Sequence, residues 1–326
     1  MTNLHEDKKM FNDMLIAAAQ PKSKGGIGIN LVMLEKVYWL TRALQLLAES
    51  RFVELAVFKG GTSLSKACAV GYRFSEDIDI AITSDPSRSD NQTKNVIGGI
   101  DKVMSLGLEE VEMPDTRKFS KYRKVFYHYP TIDYAQRLGA MQPGLMQLEV
   151  VSFANPYPYQ KRKVSCLLRN FLLMQGREDL AEQYGLTEFE VNVLDLERTA
   201  TEKLVSLIRH SLGNDYLGGL RSKIRHFYDL HYLLQNETCK AYLESDAFVA
   251  DFRNLFAEDQ DRFDEPEGWQ SRTVADSPLL RDFNAVWAYL SPLYESELAG
   301  LVFQPTIPDA TDVAASFKTV AKKLRV

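Results

Sequence analysis

The 326-residue chain is poor in cysteine: Cys68, Cys166 and Cys239 are its only three, and they stand far apart. That spacing makes neither a disulfide framework nor a zinc knuckle, and it fits a reducing compartment. No run approaches the roughly eighteen uncharged apolar residues of a membrane span. The N-terminus, MTNLHEDKKMFNDMLIAAAQ, sets acids and bases ahead of a short apolar run and lacks the layout of a secretory signal. The expected location is the cytoplasm, with no membrane partner and no disulfides. Positive charge is not in excess either. Lys and Arg number 39 against 44 Asp and Glu, a formal net charge of −5. This argues against a protein that coats duplex DNA and leaves room only for local basic patches. Internal repeats and low-complexity tracts are missing too. What is present, 45% hydrophobic and 25% charged residues, is the balance of an ordinary folded protein. At this length it predicts two domains, or one large domain with additions.

Periodicity divides the chain. Leu31, Leu34, Val37, Tyr38, Leu44 and Leu47 follow helical spacing, after a loop at PKSKGGIGI. FVELAVFKGG reads as a short strand stopped by glycines, SLSKACAV as the start of a helix, and RFSEDIDIAI as a second strand. Asp85 to Asp90 is a loop before a helix that runs through Val103. KVFYHYP and LMQLEVVSF read as two more strands joined by a polar turn region. After Ser165 the texture turns helical: CLLRNFLLMQ, LERTATEKLVSLIRHS and SKIRHFYDLHYLLQ, with one strand-like interruption at FEVNVLD. Helices return from Pro278 onward. The sequence therefore predicts an α+β domain over 1–165 and a mostly helical domain over 166–326.

The chemistry concentrates in FKGGTSLSKACAVGYRFSEDIDIAI, residues 58–82. On a strand, Asp77 and Asp79 project to one face, too close together to stay charged comfortably without a cation. Mg²⁺ suits such a pair, because it prefers a few carboxylates plus substrate phosphate oxygens to an all-protein cage. Gly60 and Gly61 permit close backbone approach, and Thr62 and Ser63 sit where a helix begins, able to hold a phosphate chain. Taken singly, an Asp-x-Asp marks a solvated strand end and a Gly-Gly marks a tight turn. In this order, with the acids alternating with Ile78 and Ile80, they make the parts of a metal–nucleotide site. A Walker-type phosphate loop is absent.

These residues resemble the nucleotidyltransferase superfamily that includes DNA polymerase beta. Within it, Lys59 to Ile80 are similar to the first motif of the AbiEii/AbiGii abortive-infection toxin family, whose relatives include the mycobacterial MenT toxins. Glu149 in LMQLEVVSF stands where the resemblance implies a third carboxylate. LERTATEKL and IRHFYDL are similar to two helical motifs of the family, so the matches run in order from about Phe58 to Leu234. The implied fold is a polymerase-beta-like core, a mixed twisted sheet flanked by helices, with a mostly helical C-terminal lobe.

The resemblance implies active-site roles for Lys203 and Asp229, which spacing alone does not show. Lys203 otherwise reads as half of a surface i,i+4 pair, and Asp229 as a partner of Arg225. Arg73 and Ser75 are expected to support the acid pair or the triphosphate, Arg73 balancing Glu76 being the plainer reading. Lys66 joins the expected nucleotide contacts. His226 reads as a packing residue, not a metal ligand. RKFSKYRK (117–124) and QKRK (160–163) would favour an RNA acceptor if both lay on one rim of the cleft. The expected function is thus Mg²⁺-dependent transfer of a nucleotide from an NTP, two ions (or Mn²⁺) being held by Asp77, Asp79 and Glu149. The acceptor would be an RNA such as tRNA, in a toxin with a cognate antitoxin in a phage-defence system. Transfer to a small molecule such as an antibiotic, or nucleotide binding without turnover, are the alternatives.

Overall fold

The computed structural model describes residues 3–132, 143–303 and 306–325. Most of the expected turn region between KVFYHYP and LMQLEVVSF lies outside them. The chain forms two compact units. The first comprises Met1–Cys68 and Phe74–Leu194, the second Ala69–Arg73 and Asp195–Val326.

The first unit is built on one mixed eight-stranded sheet. Its strands are β1 (Ala56–Lys59), β2 (Asp77–Ile82), β3 (Glu109–Val111), β4 (Arg117–Lys118), β5 (Tyr122–His128), β6 (Leu145–Val151), β7 (Tyr159–Val164) and β8 (Phe189–Leu194). They lie in the order β3-β5-β6-β2-β1-β8-β7, with β4 paired to β5. β2 runs parallel to β6 and antiparallel to β1, and β1 runs parallel to β8. Ile78, Ile80, Met146, Leu148 and Val150 are buried, the apolar half of the alternation seen in the sequence. Helix Leu31–Ala48 is buried nearly all round, and helix Asp90–Met104 packs against it and against β6. A helix apolar on most of its circumference belongs inside a core.

The boundary between units differs from the expected one. It falls at Leu194/Asp195, because FEVNVLD is β8, which pairs with β1 and β7 and so returns the chain to the sheet. The helices Leu167–Met174 and Glu178–Gln183 lie within the first unit for the same reason.

In the second unit, helices Leu196–Ser211, Ile224–Leu233, Phe283–Leu298 and Ala310–Ala321 surround an aromatic core. Phe283 and Phe317 stack at 4.8 Å between centroids, with Phe227 and Trp287 against them. The short segment Ala69–Arg73 is tied into this unit through its backbone. Tyr72 N donates to Tyr228 Oη at 2.9 Å, and Phe303 N donates to Tyr72 O at 2.9 Å. None of the three cysteines is in a disulfide. Among the described residues no helix is long and apolar enough to cross a membrane.

Candidate active site

Strand register decides which side chains meet. Lys59 stands opposite Asp79, Asp79 opposite Glu149, and Glu149 opposite Lys124. Residues directly opposite on paired strands share a face, with Cβ atoms about 5 Å apart. One row across the sheet therefore reads Lys59, Asp79, Glu149, Lys124. The next row, two residues or about 7 Å along, reads Asp77, Gln147, Phe126. Asp77, Asp79 and Glu149, separated by up to 72 positions in sequence, are thus neighbours on one face.

Glu149 is electrostatically strained. Burial pushes its carboxyl above the usual range, and the nearby charge of Asp77 adds to the rise. The ammonium groups of Lys59 and Lys124 and a hydrogen bond from the Tyr122 hydroxyl pull the other way without cancelling it. Burial in turn pushes the Tyr122 phenol up, with the Glu149 charge adding to the effect. A half-buried acid short of compensation, with two more acids on its face, is the donor set that a divalent cation balances. The described residues hold no group of three His, Cys, Asp or Glu side chains already converged on one point. The residues thus fit a divalent ion by chemistry and by face, and their carboxylates would close on it.

The turn after β1 explains one glycine. Gly60 opens helix Gly60–Ala67 at φ +78°, a left-handed conformation that side chains resist, and a methyl there would overlap the Asp79 carboxylate. Gly60→Ala is therefore expected to cost about 1–2 kcal/mol from backbone strain. It should also push Asp79 off its row and remove most activity. Urea titration alongside a transfer assay checks both, and full activity in the variant would contradict the placement.

Thr62 and Ser63 are buried and spend their hydroxyls on main-chain carbonyls. Thr62 Oγ1 donates to Asp77 O, clamping the helix start to β2, and Ser63 Oγ donates to Gly60 O at 2.9 Å. Gly61 follows Gly60 in the first turn of the helix. Lys66 points elsewhere: its ammonium donates to Thr41 Oγ1 at 2.5 Å and to Val37 O at 3.3 Å, on helix Leu31–Ala48. Burial lowers its pKa to about 8. Ser75 is half-buried in the segment before β2.

The second unit gathers the other expected residues. Arg73 Nε and Nη2 donate to the two Asp229 oxygens at 2.6 and 2.7 Å, and Lys203 Nζ lies 2.7 Å from Asp229 Oδ2. All three side chains are buried. Arg73 therefore pairs with Asp229 and not with Glu76, whose partner is Lys36 at 2.8 Å. Lys203 is not a surface i,i+4 residue; on its helix that pair is Arg198–Glu202. Burial opposes charge on Asp229, but Arg73 and Lys203 outweigh it and hold the carboxyl well below its usual range. His226 beside them is kept neutral, by burial first and then by the Lys203 and Lys223 charges.

The basic runs separate. RKFSKYRK covers β4 and the start of β5, whereas QKRK lies in β7 at the far edge of the sheet, with β6, β2, β1 and β8 between. Much of their charge is spent: Lys121 on Asp90, Arg123 on Asp101, Lys161 on Glu54 and Lys163 on Glu188. They do not form the single basic rim that an RNA path would use. Sequence reasoning assigned no role to Lys59 or Gln147, and it read Lys124 only as part of the basic run 117–124. The i,i+2 alternation of the strands was the available signal, since Gln147 is two residues before Glu149 and Lys124 two after Tyr122.

With this geometry in place, the family comparison is decisive. The family model described as nucleotidyl transferase AbiEii toxin, Type IV TA system, matches residues 42–315. The chain belongs to this family. It is a nucleotidyltransferase, and the family's type IV toxin–antitoxin setting brings with it an NTP substrate and an antitoxin counterpart. Two solved structures are also similar. MenT4, a nucleotidyltransferase toxin from Mycobacterium tuberculosis, is 17% identical with a TM-score of 0.46, covering 91% of this chain and 93% of its own. JHP933 from Helicobacter pylori is 16% identical with a TM-score of 0.41, covering 90% and 93%. No curated protein matches.

Proposed function

We propose that this AbiEii-family nucleotidyltransferase moves a nucleoside monophosphate from an NTP to a hydroxyl of RNA, tRNA being the leading acceptor. The observation that carries the reading is the single row of Asp79 and Glu149 between Lys59 and Lys124, with Asp77 beside it. The acceptor oxygen bonds to the α-phosphorus, the bond to the β-phosphate oxygen breaks, and pyrophosphate leaves. Asp77, Asp79 and Glu149 would hold two Mg²⁺, or Mn²⁺ in their place. When bound, such ions acidify an attacking hydroxyl and neutralise charge on the leaving phosphate. Glu149, its carboxyl already raised, would take the hydroxyl proton.

Gly60 and Gly61 give the triphosphate close approach to main-chain N–H groups at the helix start. The Thr62 and Ser63 hydroxyls brace that turn. Lys203, held by Asp229, would serve as a point charge for the phosphates, the role the family motif gives it, and Arg73 would fix Asp229. Ser75 would complete the surroundings of the nucleotide site, while Lys66, bonded to helix Leu31–Ala48, would brace the phosphate-turn helix from behind. Such a reaction, consuming NTP and RNA, would run in the cytoplasm, with the antitoxin restraining the toxin, in a setting such as phage defence.

The test uses wild-type protein, Mg²⁺, α-labelled NTP and total tRNA, with pyrophosphate release followed in parallel. The reading expects label on RNA and competition by excess unlabelled tRNA. Label moving instead to a small cationic acceptor would overturn the RNA assignment. Tight NTP binding without pyrophosphate release across many acceptors would overturn turnover itself.

A further inference from the structure

Beside Asp77 lies a cavity that none of the family motifs explains. It has a volume of about 340 Å³, and its walls include Phe126, Leu145, Met113, Pro114 and Gln147. Its position follows from the register. β1 and the helix that begins at Gly60 lie on one side of β2, and β6 lies on the other. Asp77 therefore separates the glycine turn from the cavity, which opens from the row Asp77, Gln147, Phe126.

Charge narrows what the cavity can take. Of the ionised groups in its lining, Lys36 pairs with Glu76 at 2.8 Å and Asp115 lies 3.5 Å from Lys124 outside the cavity, which leaves the Asp77 carboxylate, the charge that the proposed ions would balance. A phosphate would gain little there, and a polycation would gain little. A flat neutral heterocycle suits the apolar walls. One uncharged polar group is available to orient it: Gln147 is half-buried and spends its backbone on the sheet, and its side-chain amide makes no hydrogen bond with a described residue. A side-chain amide offers a donor and an acceptor together, the pairing that matches the N6 and N7 edge of adenine. The volume is in the range of a small-molecule site.

We propose that this cavity holds the nucleobase of the acceptor nucleotide, that Gln147 selects adenine there, and that Phe126 and Leu145 supply the apolar walls. The inference rests on the RNA-transfer reading for its biological sense, but not for its test. It assigns the acceptor to the β6 side of Asp77 and the triphosphate to the β1 side. Gln147 is then a specificity residue, and its loss is felt by the acceptor alone.

Two measurements decide it. In transfer assays, Gln147→Leu should raise the acceptor KM roughly tenfold to a hundredfold, the range for losing one bidentate base contact. The NTP KM should stay unchanged, and Phe126→Ala should behave likewise. A shift in the NTP KM with an unmoved acceptor KM would assign the cavity to the incoming nucleotide and overturn the proposal. Separately, adenosine, guanosine, cytidine and uridine are titrated into wild type and Gln147→Leu by NMR. Adenosine binding best, and weakening in the variant, supports the proposal; no binding, or equal binding of all four, overturns it. If wild type labels no RNA, the RNA-transfer reading fails while the nucleoside titration still decides the cavity.

Discussion

Glu149→Gln should yield a protein that is more stable than wild type and nearly inactive. Burial raises the Glu149 carboxyl above its unfolded value, so folding favours its protonated form. The stability this group contributes is present below the unfolded carboxylate pKa near 4.5 and is lost as pH rises through the raised folded value. At neutral pH the ionised carboxylate is a cost, and an amide of the same shape removes it. The melting temperatures of wild type and variant should therefore lie close together near pH 4 and separate as pH rises, the variant higher. Activity moves the other way. Loss of a proton acceptor in the row beside Asp79 should cost about 10²–10⁴ in rate. Mg²⁺ added at neutral pH should raise the wild-type melting temperature and do less for the variant, a readout that needs no turnover. A variant less stable than wild type at neutral pH would mean that Lys59, Lys124 and Tyr122 already balance Glu149. This is the trade expected where a fold carries charge for function.

Asp229→Ala should be the most damaging single change in the second unit. It would leave the Arg73 guanidinium and the Lys203 ammonium buried without their shared carboxylate. Removing one partner from a buried pair typically costs about 3–5 kcal/mol. Urea unfolding measures it, and a loss under about 1 kcal/mol would show that the two cations find other partners. Combining the change with Lys203→Met should cost less than the sum of the single changes, because the stranded ammonium is then gone. The pH dependence has the opposite sign to that of Glu149. The Asp229 carboxyl is depressed, so its contribution is present above an unfolded value near 3.8 and lost as pH falls through the folded one. Acid titration of wild type should therefore unfold the second unit below pH 4.

These arguments use residues whose meaning the sequence carried unevenly. Asp77 and Asp79 were legible because alternation with Ile78 and Ile80 is a local signal, read within six residues of β2. Glu149 needed the family motif, because nothing local says that β6 lies beside β2 and parallel to it. Lys59 and Lys124 flank the acids for the same non-local reason: alternation within a strand gives the face of each side chain, but not which strand lies beside it. The Arg73–Asp229 pair spans 156 positions, while the sequence offered nearer and plainer partners in Glu76 and Arg225. Those local pairings lost because burial rewards a bidentate geometry that surface neighbours do not need.

The domain boundary moved for a related cause. Two helices after Ser165 look like the start of a helical domain, yet the strand at Phe189–Leu194 completes the first sheet. The basic runs show the limit of reading charge along a chain. Lys121 and Lys161 find acids 31 and 107 positions away, Asp90 and Glu54, and the two runs occupy opposite edges of the sheet.

The most direct measurement compares wild type with Asp77→Ala/Asp79→Ala, each incubated with total tRNA, Mg²⁺ and each α-labelled NTP in turn. Circular dichroism confirms that both are folded. The acid face as catalytic centre predicts label on RNA with wild type alone, and the NTP that gives it names the base. Labelling that survives loss of both aspartates would contradict the account.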